Sequence, residues 1–242
     1  MAFSPHAPYT VTDAGFQQVL ELSEDLSIPI HLHLHETKQE VETGLLEDGR
    51  RPYKRVEELG LLKADLQTVH MTELNEEEIQ SLCSNQIHVV LCPESNMNLS
   101  SGICPVHKLF ANGINVALGT DGAASNNDLD LLAEARSAAF LSKVTSGYPG
   151  SIKAEEALSM ATINGARLMG LEEKIGSLEI GKCADIIAVD LSGISFQPIY
   201  NPISQLIYAA NGQNVTHTWI NGECLYEDKK FTRLNLSTLR RR

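Results

Sequence analysis

The 242-residue sequence predicts an α/β protein, with parallel strands and helices alternating in a barrel and a smaller β-rich segment behind it. Two observations carry this prediction. Short apolar strands are each followed by a stretch with helical spacing, which is typical of parallel βα units. Polar residues stand at or just past the end of each strand, where the catalytic groups of barrel enzymes gather. The alternative is an open doubly wound sheet, but the sequence has no G-x-G-x-x-G phosphate loop.

Four strands are predicted in the first part of the chain from their apolar pattern. They cover Ile28–His35, Leu66–His70, Ile87–Cys92 and Asn115–Gly119. Helices are expected over Glu76–Ser84, Asp128–Lys143 and Lys153–Gly170. Asn75 and Glu78 match a capping box at the start of the first helix, and Asp128 is the expected cap of the second.

After about residue 172 the pattern changes to short β-strands and hairpins. These are expected at Ile175–Ile180, Ala184–Asp190 and Thr216–Leu225, the last with a turn at Asn221-Gly222. We therefore divide the chain into a barrel portion, residues 1–174, and a β-rich segment, residues 175–242. The basic cluster Arg240-Arg241-Arg242 is expected to be a frayed terminus, not a binding patch.

Composition excludes several classes of partner and compartment. Lys plus Arg is 19 and Asp plus Glu is 31, and a net charge of −12 argues against nucleic acid or an anionic membrane as the partner. The 5 cysteines contain no C-x-x-C pair, which fits a reducing compartment. No apolar run approaches the ~20 residues of a membrane helix. Without a signal-peptide pattern either, we expect a soluble cytoplasmic protein.

Three histidines alternate with leucines in the first predicted strand. With a period of two, the imidazoles of His31, His33 and His35 are expected on one face. In a barrel that face is the interior, so His31 is expected to be buried, while His33, His35 and Glu36 reach the mouth. Because burying three imidazoles without a use is costly, the run favours function over a purely structural role.

A metal site is predicted from the ends of three strands. His33, His70 and Asp121 each end or follow a different strand. Imidazole nitrogen with carboxylate oxygen suits Zn²⁺, with Fe²⁺ as the alternative. No G-x-S-x-G elbow or Walker loop is present. Ser95 and Ser125 lie in polar loops, where capping or turn roles are expected.

Several motifs together resemble the amidohydrolase superfamily. They are Pro5-His6-Ala7-Pro8-Tyr9-Thr10, His33-Leu34-His35-Glu36-Thr37, His70, Cys92-Pro93-Glu94-Ser95-Asn96 and the block Leu118–Asn127. The branch they resemble most is the 5-methylthioadenosine/S-adenosylhomocysteine deaminases, alongside chlorohydrolases of the triazine-degrading type. The resemblance implies a TIM-like (β/α)8 metal-dependent hydrolase barrel, followed by the C-terminal strands of a small β-sandwich domain.

The resemblance also implies roles for individual residues. His33 resembles a metal-binding histidine of the fifth barrel strand, and His70 the sixth-strand histidine beside the metal-bound water. Asp121 resembles the eighth-strand aspartate that ligates the metal and shuttles a proton. Glu36 resembles the acid that protonates the purine ring nitrogen, and His6 a histidine that contacts the substrate.

The implied activity is hydrolytic deamination of a small molecule, an adenine nucleoside thioether, with release of ammonia. A related aminohydrolase or chlorohydrolase acting on guanine, cytosine or a triazine is the alternative. The H-x-H metal ligands of the family's first strand have no counterpart, since the motif around His33 matches the fifth strand. We therefore expect a C-terminal portion of the barrel: an inactive fragment, or a chain that needs an N-terminal half or a homo-oligomer.

Overall fold

The computed structural model describes residues 1–239, so the Arg240-Arg241-Arg242 cluster lies outside the described residues. The strands are β1 (Ile30–Leu34), β2 (Leu66–His70), β3 (His88–Leu91), β4 (Val116–Leu118), β5 (Ile186–Val189), β6 (Val215–Ile220), β7 (Glu223–Glu227) and β8 (Lys230–Phe231). The α-helices are α1 (Asp13–Leu26), α2 (Lys38–Glu47), α3 (Pro52–Glu58), α4 (Glu76–Ser84), α5 (Pro93–Asn98), α6 (Val106–Ala111), α7 (Leu131–Ser146), α8 (Ala154–Met160), α9 (Ile163–Leu168), α10 (Pro202–Ala209) and α11 (Leu236–Leu239).

The first sheet is parallel, in the order β1-β2-β3-β4. Leu34 pairs with His70 at the ends of β1 and β2, and Leu91 pairs with Leu118 at the ends of β3 and β4. Phe3 forms a parallel bridge to Ile30 on the other side of β1. The carboxyl ends of the four strands therefore lie along one edge of the sheet, as expected for consecutive strands of a barrel.

The two faces of the sheet have different environments. Ile30, Leu32 and Leu34 are fully buried in the main hydrophobic core, which includes Phe16 of α1 and Ala135 of α7. Their alternate neighbours in β1 are half-buried histidines on the opposite, concave face. This alternation places apolar side chains against the helices and leaves polar groups facing the inside of the barrel.

The predicted α/β barrel architecture is confirmed for the residues that the structure describes, and some elements match residue for residue. The bounds of β2 and α4 are those expected from the sequence. Both halves of the capping box at Asn75 and Glu78 are present. Local signals determined these elements because strand pattern and helix cap agree with the tertiary packing.

Two helix predictions require correction. The helix expected over Lys153–Gly170 is two helices, α8 and α9, because Thr162 lies outside the helical region with φ −135° and ψ −98°. Asp130, not Asp128, caps α7, and its side chain accepts a hydrogen bond from the N–H of Leu132 at 2.9 Å. Asp128 instead binds the N–H of Asp130 in the preceding turn.

The second sheet is antiparallel, in the order β5-β6-β7-β8. Asn221 and Gly222 both have positive φ between β6 and β7, which confirms the expected hairpin turn. The strand expected at Ile175–Ile180 is wrong, since no strand lies there and Gly176 takes φ 90°, a turn conformation. The proposed boundary between residues 174 and 175 stays a prediction. Across residues 1–239, no helix combines the length and apolar character that crossing a membrane requires.

Candidate active site

The ends of three strands bring His33, His70 and Asp121 together. One ligand atom from each residue lies within 4.8 Å of the other two. The rings of His33 and His70 are stacked with centroids 5.2 Å apart. Two imidazoles and a carboxylate are a donor set that Zn²⁺ and Fe²⁺ accept, so the chemistry of these side chains fits a divalent metal.

His33 is oriented by the backbone of the segment beside β1. Its Nδ1 lies 2.9 Å from the carbonyl oxygen of His6, which also accepts the backbone N–H of His33 at 3.1 Å. Because a carbonyl only accepts, Nδ1 donates this hydrogen bond, which leaves Nε2 as the nitrogen that can bind a metal. A histidine anchored in this way through one nitrogen is typical of a metal ligand that binds through the other.

His70 is oriented by the loop that follows β3, a connection that contains the short helix α5. Its Nδ1 lies 2.8 Å from Oδ1 of Asn96, and its Nε2 lies 3.8 Å from Oε2 of Glu36. Burial lowers the pKa of His70, although Glu36, Asn96 and Asp121 act in the opposite direction. The imidazole is therefore neutral at physiological pH, with Nδ1 protonated and the lone pair of Nε2 directed into the site.

Asp121 follows β4 with φ 61°, an uncommon conformation for a residue other than glycine. Its Oδ2 accepts hydrogen bonds from Ser95 Oγ at 2.7 Å and Ser125 Oγ at 3.1 Å. Burial alone would raise the pKa of this carboxyl, but hydrogen bonds from Ser95, Gly122 and Ser125 and the nearby His70 hold it below its ordinary value. Asp121 is therefore ionised at neutral pH.

The two serines correct an expectation from the sequence. Ser95 and Ser125 were expected in capping or turn roles, and Ser125 does bind the carbonyl of Gly122 at 3.3 Å. Both are buried, however, and both donate to Asp121. Sequence reasoning missed this contact because the loops after β3 and β4 meet only in the folded chain.

Glu36 lies at the mouth, with its side chain 19% exposed. Ser101 Oγ donates to its Oε1 at 3.2 Å. Its backbone is fixed by the buried carboxyl of Glu40, which accepts the N–H groups of Glu36 at 2.7 Å and His35 at 3.1 Å. The side chain of Glu36 is thus held next to His70 while remaining partly exposed.

His35 does not join the site, and the expectation that three imidazoles share a face is wrong. With φ 52° the chain turns at His35, which is fully buried on the helix side. Its Nε2 accepts the backbone N–H of Tyr53 at 3.1 Å, and burial lowers the pKa of His35 to about 3. His31 stays on the concave face but is half-buried, with Nδ1 3.1 Å from Oε1 of Gln67.

A cavity of about 320 Å³ lies beside the three predicted ligands on the concave face. His33 and Asp121 are part of its wall, together with the apolar side chains of Val90, Ala117 and Met169. His6 is exposed near its edge, with its ring centroid 5.3 Å from that of His33. The cavity offers a small molecule an apolar wall next to the polar cluster.

Comparison with known proteins shows which family and which relatives the chain is similar to. A model described as the amidohydrolase family matches residues 1–225. A 5-methylthioadenosine/S-adenosylhomocysteine deaminase of Teredinibacter turnerae is 46% identical over 233 residues, covering 96% of this chain and 53% of the relative. A 5'-deoxyadenosine deaminase of Methanobrevibacter smithii is 40% identical over 234 residues, covering 96% and 54%. The chain thus spans about half the length of the curated relatives it matches.

Solved structures agree with the fold. A crystal structure of an adenosine deaminase from Xanthomonas campestris with bound zinc matches with a TM-score of 0.96 and 45% identity, covering 99% of this chain and 55% of that one. An atrazine chlorohydrolase from Arthrobacter aurescens in complex with zinc and atraton matches with a TM-score of 0.91 at 23% identity, covering 99% and 53%. At that lower identity the likeness concerns the fold alone.

Proposed function

Because this chain belongs to the amidohydrolase family, we propose that it carries the metal-binding and proton-transfer residues of a hydrolytic deaminase. The substrate class is an adenine nucleoside thioether, 5-methylthioadenosine or S-adenosylhomocysteine. The observation that carries the proposal is the convergence of His33, His70 and Asp121 within 4.8 Å of one another. The names of relatives at 40–46% identity support the substrate class.

His33 and Asp121 would hold the metal, zinc by preference, with His70 beside them. When bound, the ion supplies Lewis-acid chemistry that makes water nucleophilic near neutral pH. Asp121, kept ionised by its serine partners, accepts the proton that water loses as it adds to the amine-bearing carbon. Neutral His70 orients that water. Glu36 donates a proton to the adjacent ring nitrogen, which makes the carbon more electrophilic.

The proton that Asp121 accepted from water then completes the exchange. Asp121 passes it to the amino group, which leaves as ammonia. The new hydroxyl group loses its proton as the carbonyl forms, and this proton balances the one that Glu36 donated. The exposed imidazole of His6 contacts the substrate from the edge of the cavity. Water and the amine are consumed as a carbonyl and ammonia form, so the reaction needs no redox partner.

Residues 1–239 supply four strands of the barrel, and the site is open on the concave face. We assign residues 1–174 to the barrel and residues 175–242 to the smaller β-rich segment. A complementary polypeptide with the strands that precede these in the relatives would add further ligands and close the cavity. The 5 free cysteines support a reducing, cytoplasmic location.

Ammonia release tests the deaminase activity, and chloride release is measured in addition for the chlorotriazine, because a chlorohydrolase frees chloride and not ammonia. The chain would be assayed alone and after co-expression with the part of the Teredinibacter turnerae deaminase that it does not span. Substrates would be 5-methylthioadenosine, S-adenosylhomocysteine, 5'-deoxyadenosine, adenosine, guanine and a chlorotriazine. We expect zinc-dependent release from the first two in the co-expressed sample, at least tenfold faster than from guanine or the triazine. A preference for guanine or the triazine, or no turnover in a zinc-loaded complex, would overturn the proposal.

A further inference from the structure

A second carboxyl group lies behind the site and has no part in the proposed chemistry. Glu134, in the first turns of α7, is 0% exposed. Its Oε2 accepts the backbone N–H of Glu94 at 3.1 Å, and its Oε1 accepts the side-chain amide of Asn126. Burial raises the pKa of Glu134, and the hydrogen bonds that its carboxylate accepts from Glu94 and Asn126 oppose that rise. Burying a carboxyl group costs folding free energy, so the full burial of Glu134 needs a structural or functional explanation.

The partners of Glu134 are sequence neighbours of the residues that hold Asp121. Glu94 precedes Ser95 in the loop after β3, and Asn126 follows Ser125 in the loop after β4. The two serine hydroxyls lie 2.7 Å apart, and each lies within hydrogen-bond distance of Oδ2 of Asp121, at 2.7 Å for Ser95 and 3.1 Å for Ser125. Glu134 and Asp121 therefore hold the same two loops from opposite sides.

We propose that Glu134 is a positioning residue for Asp121, because its carboxyl group fixes the two loops whose serines orient the Asp121 carboxylate. The inference rests on the proposed function, in which Asp121 binds the metal. The effect extends to His70, since Asn96 in the same loop binds its Nδ1 at 2.8 Å. A shift of this loop thus changes the orientation of two of the three converging groups.

Metal affinity measures this positioning without reference to turnover. In Glu134→Gln the amide nitrogen cannot accept, so either Glu94 N–H or Asn126 loses its acceptor. We expect Co²⁺, titrated into the purified chain and followed by its absorption, to bind ~10–100-fold more weakly, the range found when groups that orient ligands are removed. Ser137→Ala is the matched control. Ser137 lies on the same helix and binds the side chain of Glu94 at 2.8 Å, but not the loop backbone. We expect its affinity to stay within twofold of the wild type.

A double-mutant cycle separates positioning from a general loss of structure. If Glu134 acts through Ser95, its substitution costs much less affinity once Ser95 is already Ala, because coupled residues are not additive. We expect Glu134→Gln to weaken Co²⁺ binding less than threefold in the Ser95→Ala background. The inference would be overturned if the double variant lost Co²⁺ affinity by the product of the two single fold-losses. It would also be overturned if Glu134→Gln alone bound Co²⁺ within twofold of the wild type.

If the wild-type chain binds no Co²⁺, that result counts against the proposed metal site but not against the positioning role of Glu134. Hydrogen–deuterium exchange then provides the deciding measurement. We expect Glu134→Gln to speed amide exchange at least tenfold in both loops, residues 93–98 and 122–127, while β1 and β2 are unchanged. Ser137→Ala should leave the loop after β4 unchanged. Wild-type exchange in both loops of Glu134→Gln would overturn the positioning role.

Discussion

The carbonyl oxygen of His6 binds His33 twice, accepting its backbone N–H at 3.1 Å and its Nδ1 at 2.9 Å. A backbone atom therefore sets the tautomer of a proposed metal ligand. The imidazole of His6 takes no part in this hydrogen bonding and makes a separate contact, with Nδ1 3.0 Å from Thr10 Oγ1. Backbone and side chain of one residue thus serve two separable purposes.

This separation predicts the behaviour of His6→Ala. Because the carbonyl remains, we expect zinc affinity within about threefold of the wild type. His33→Ala removes a ligand and should lose more than the ~10–100-fold that is typical when only an orienting partner is lost. In the co-expressed enzyme, loss of the imidazole should raise KM for 5-methylthioadenosine. Calorimetric zinc titration and steady-state kinetics measure the two effects. Loss of zinc affinity as large as in His33→Ala would contradict the assignment of the imidazole to substrate.

The amide of Asn96 predicts a graded response. Asn96→Leu removes the acceptor of His70 Nδ1–H, whereas Asn96→Asp keeps an oxygen in its place. We expect kcat to fall ~10–100-fold in the leucine variant, as is typical when the partner of a site histidine is lost, and to recover at least in part in the aspartate variant. Equal kcat values in the two variants would show that the hydrogen bond does not matter.

Asp121→Asn tests the proton carrier. The amide keeps the size of the side chain but cannot take up a proton, so we expect less than a tenth of wild-type turnover in the co-expressed enzyme. Ammonia release at saturating 5-methylthioadenosine is the measurement, with Asp128→Asn as a control on an exposed aspartate of the same loop. Turnover above a tenth of the wild type would remove Asp121 from this role.

His35 predicts how stability depends on pH. Its folded pKa of about 3 lies below the ordinary 6.5, so it contributes stability above pH 6.5 that is lost as the pH falls toward 3. We expect a loss of about 2–3 kcal/mol between pH 7 and pH 4.5, since one pKa unit corresponds to ~1.4 kcal/mol. Urea unfolding at both values measures it. His35→Gln, which cannot titrate, should lose less, and an equal loss would contradict the prediction.

At Gly119, which lines the cavity, neighbouring side chains leave little room for a larger residue. A Cβ at this position would lie 2.9 Å from Val90 Cγ1 and 3.3 Å from Cys92 Sγ. We expect Gly119→Ala to lower the free energy of unfolding by ~1–3 kcal/mol, the usual cost of overpacking. Gly165→Ala, where nothing lies within 4 Å of the added carbon, is the control and should be neutral or slightly stabilising. Equal stability of both variants would argue against this lack of room.

The sequence predicted the parts of the molecule that depend on local signals. The apolar period and the ends of the strands were enough to place His33, His70 and Asp121 on one edge of a sheet. The turn at Asn221-Gly222 followed from the residue types alone. These features need no knowledge of which loops meet, because adjacent parallel strands align their carboxyl ends.

What the sequence could not predict depends on backbone turns and on contacts between distant loops. A single left-handed φ at His35 moved that imidazole from the expected face to the helix side. The distance from Ser95 to Asp121 spans 26 residues of chain, and no spacing rule links them. In the sequence, Glu134 looks like any glutamate of a helix. Only its full burial in the folded chain distinguishes it.

The bridge between Phe3 and Ile30 has a practical consequence for preparing this protein. Phe3 and His6 accept the backbone N–H groups of His31 and His33, so this segment covers one side of β1. A shortened form of the protein without it would expose those N–H groups and lose the acceptor of His33 Nδ1. Metal counts are therefore best made on material that retains residues 3–6.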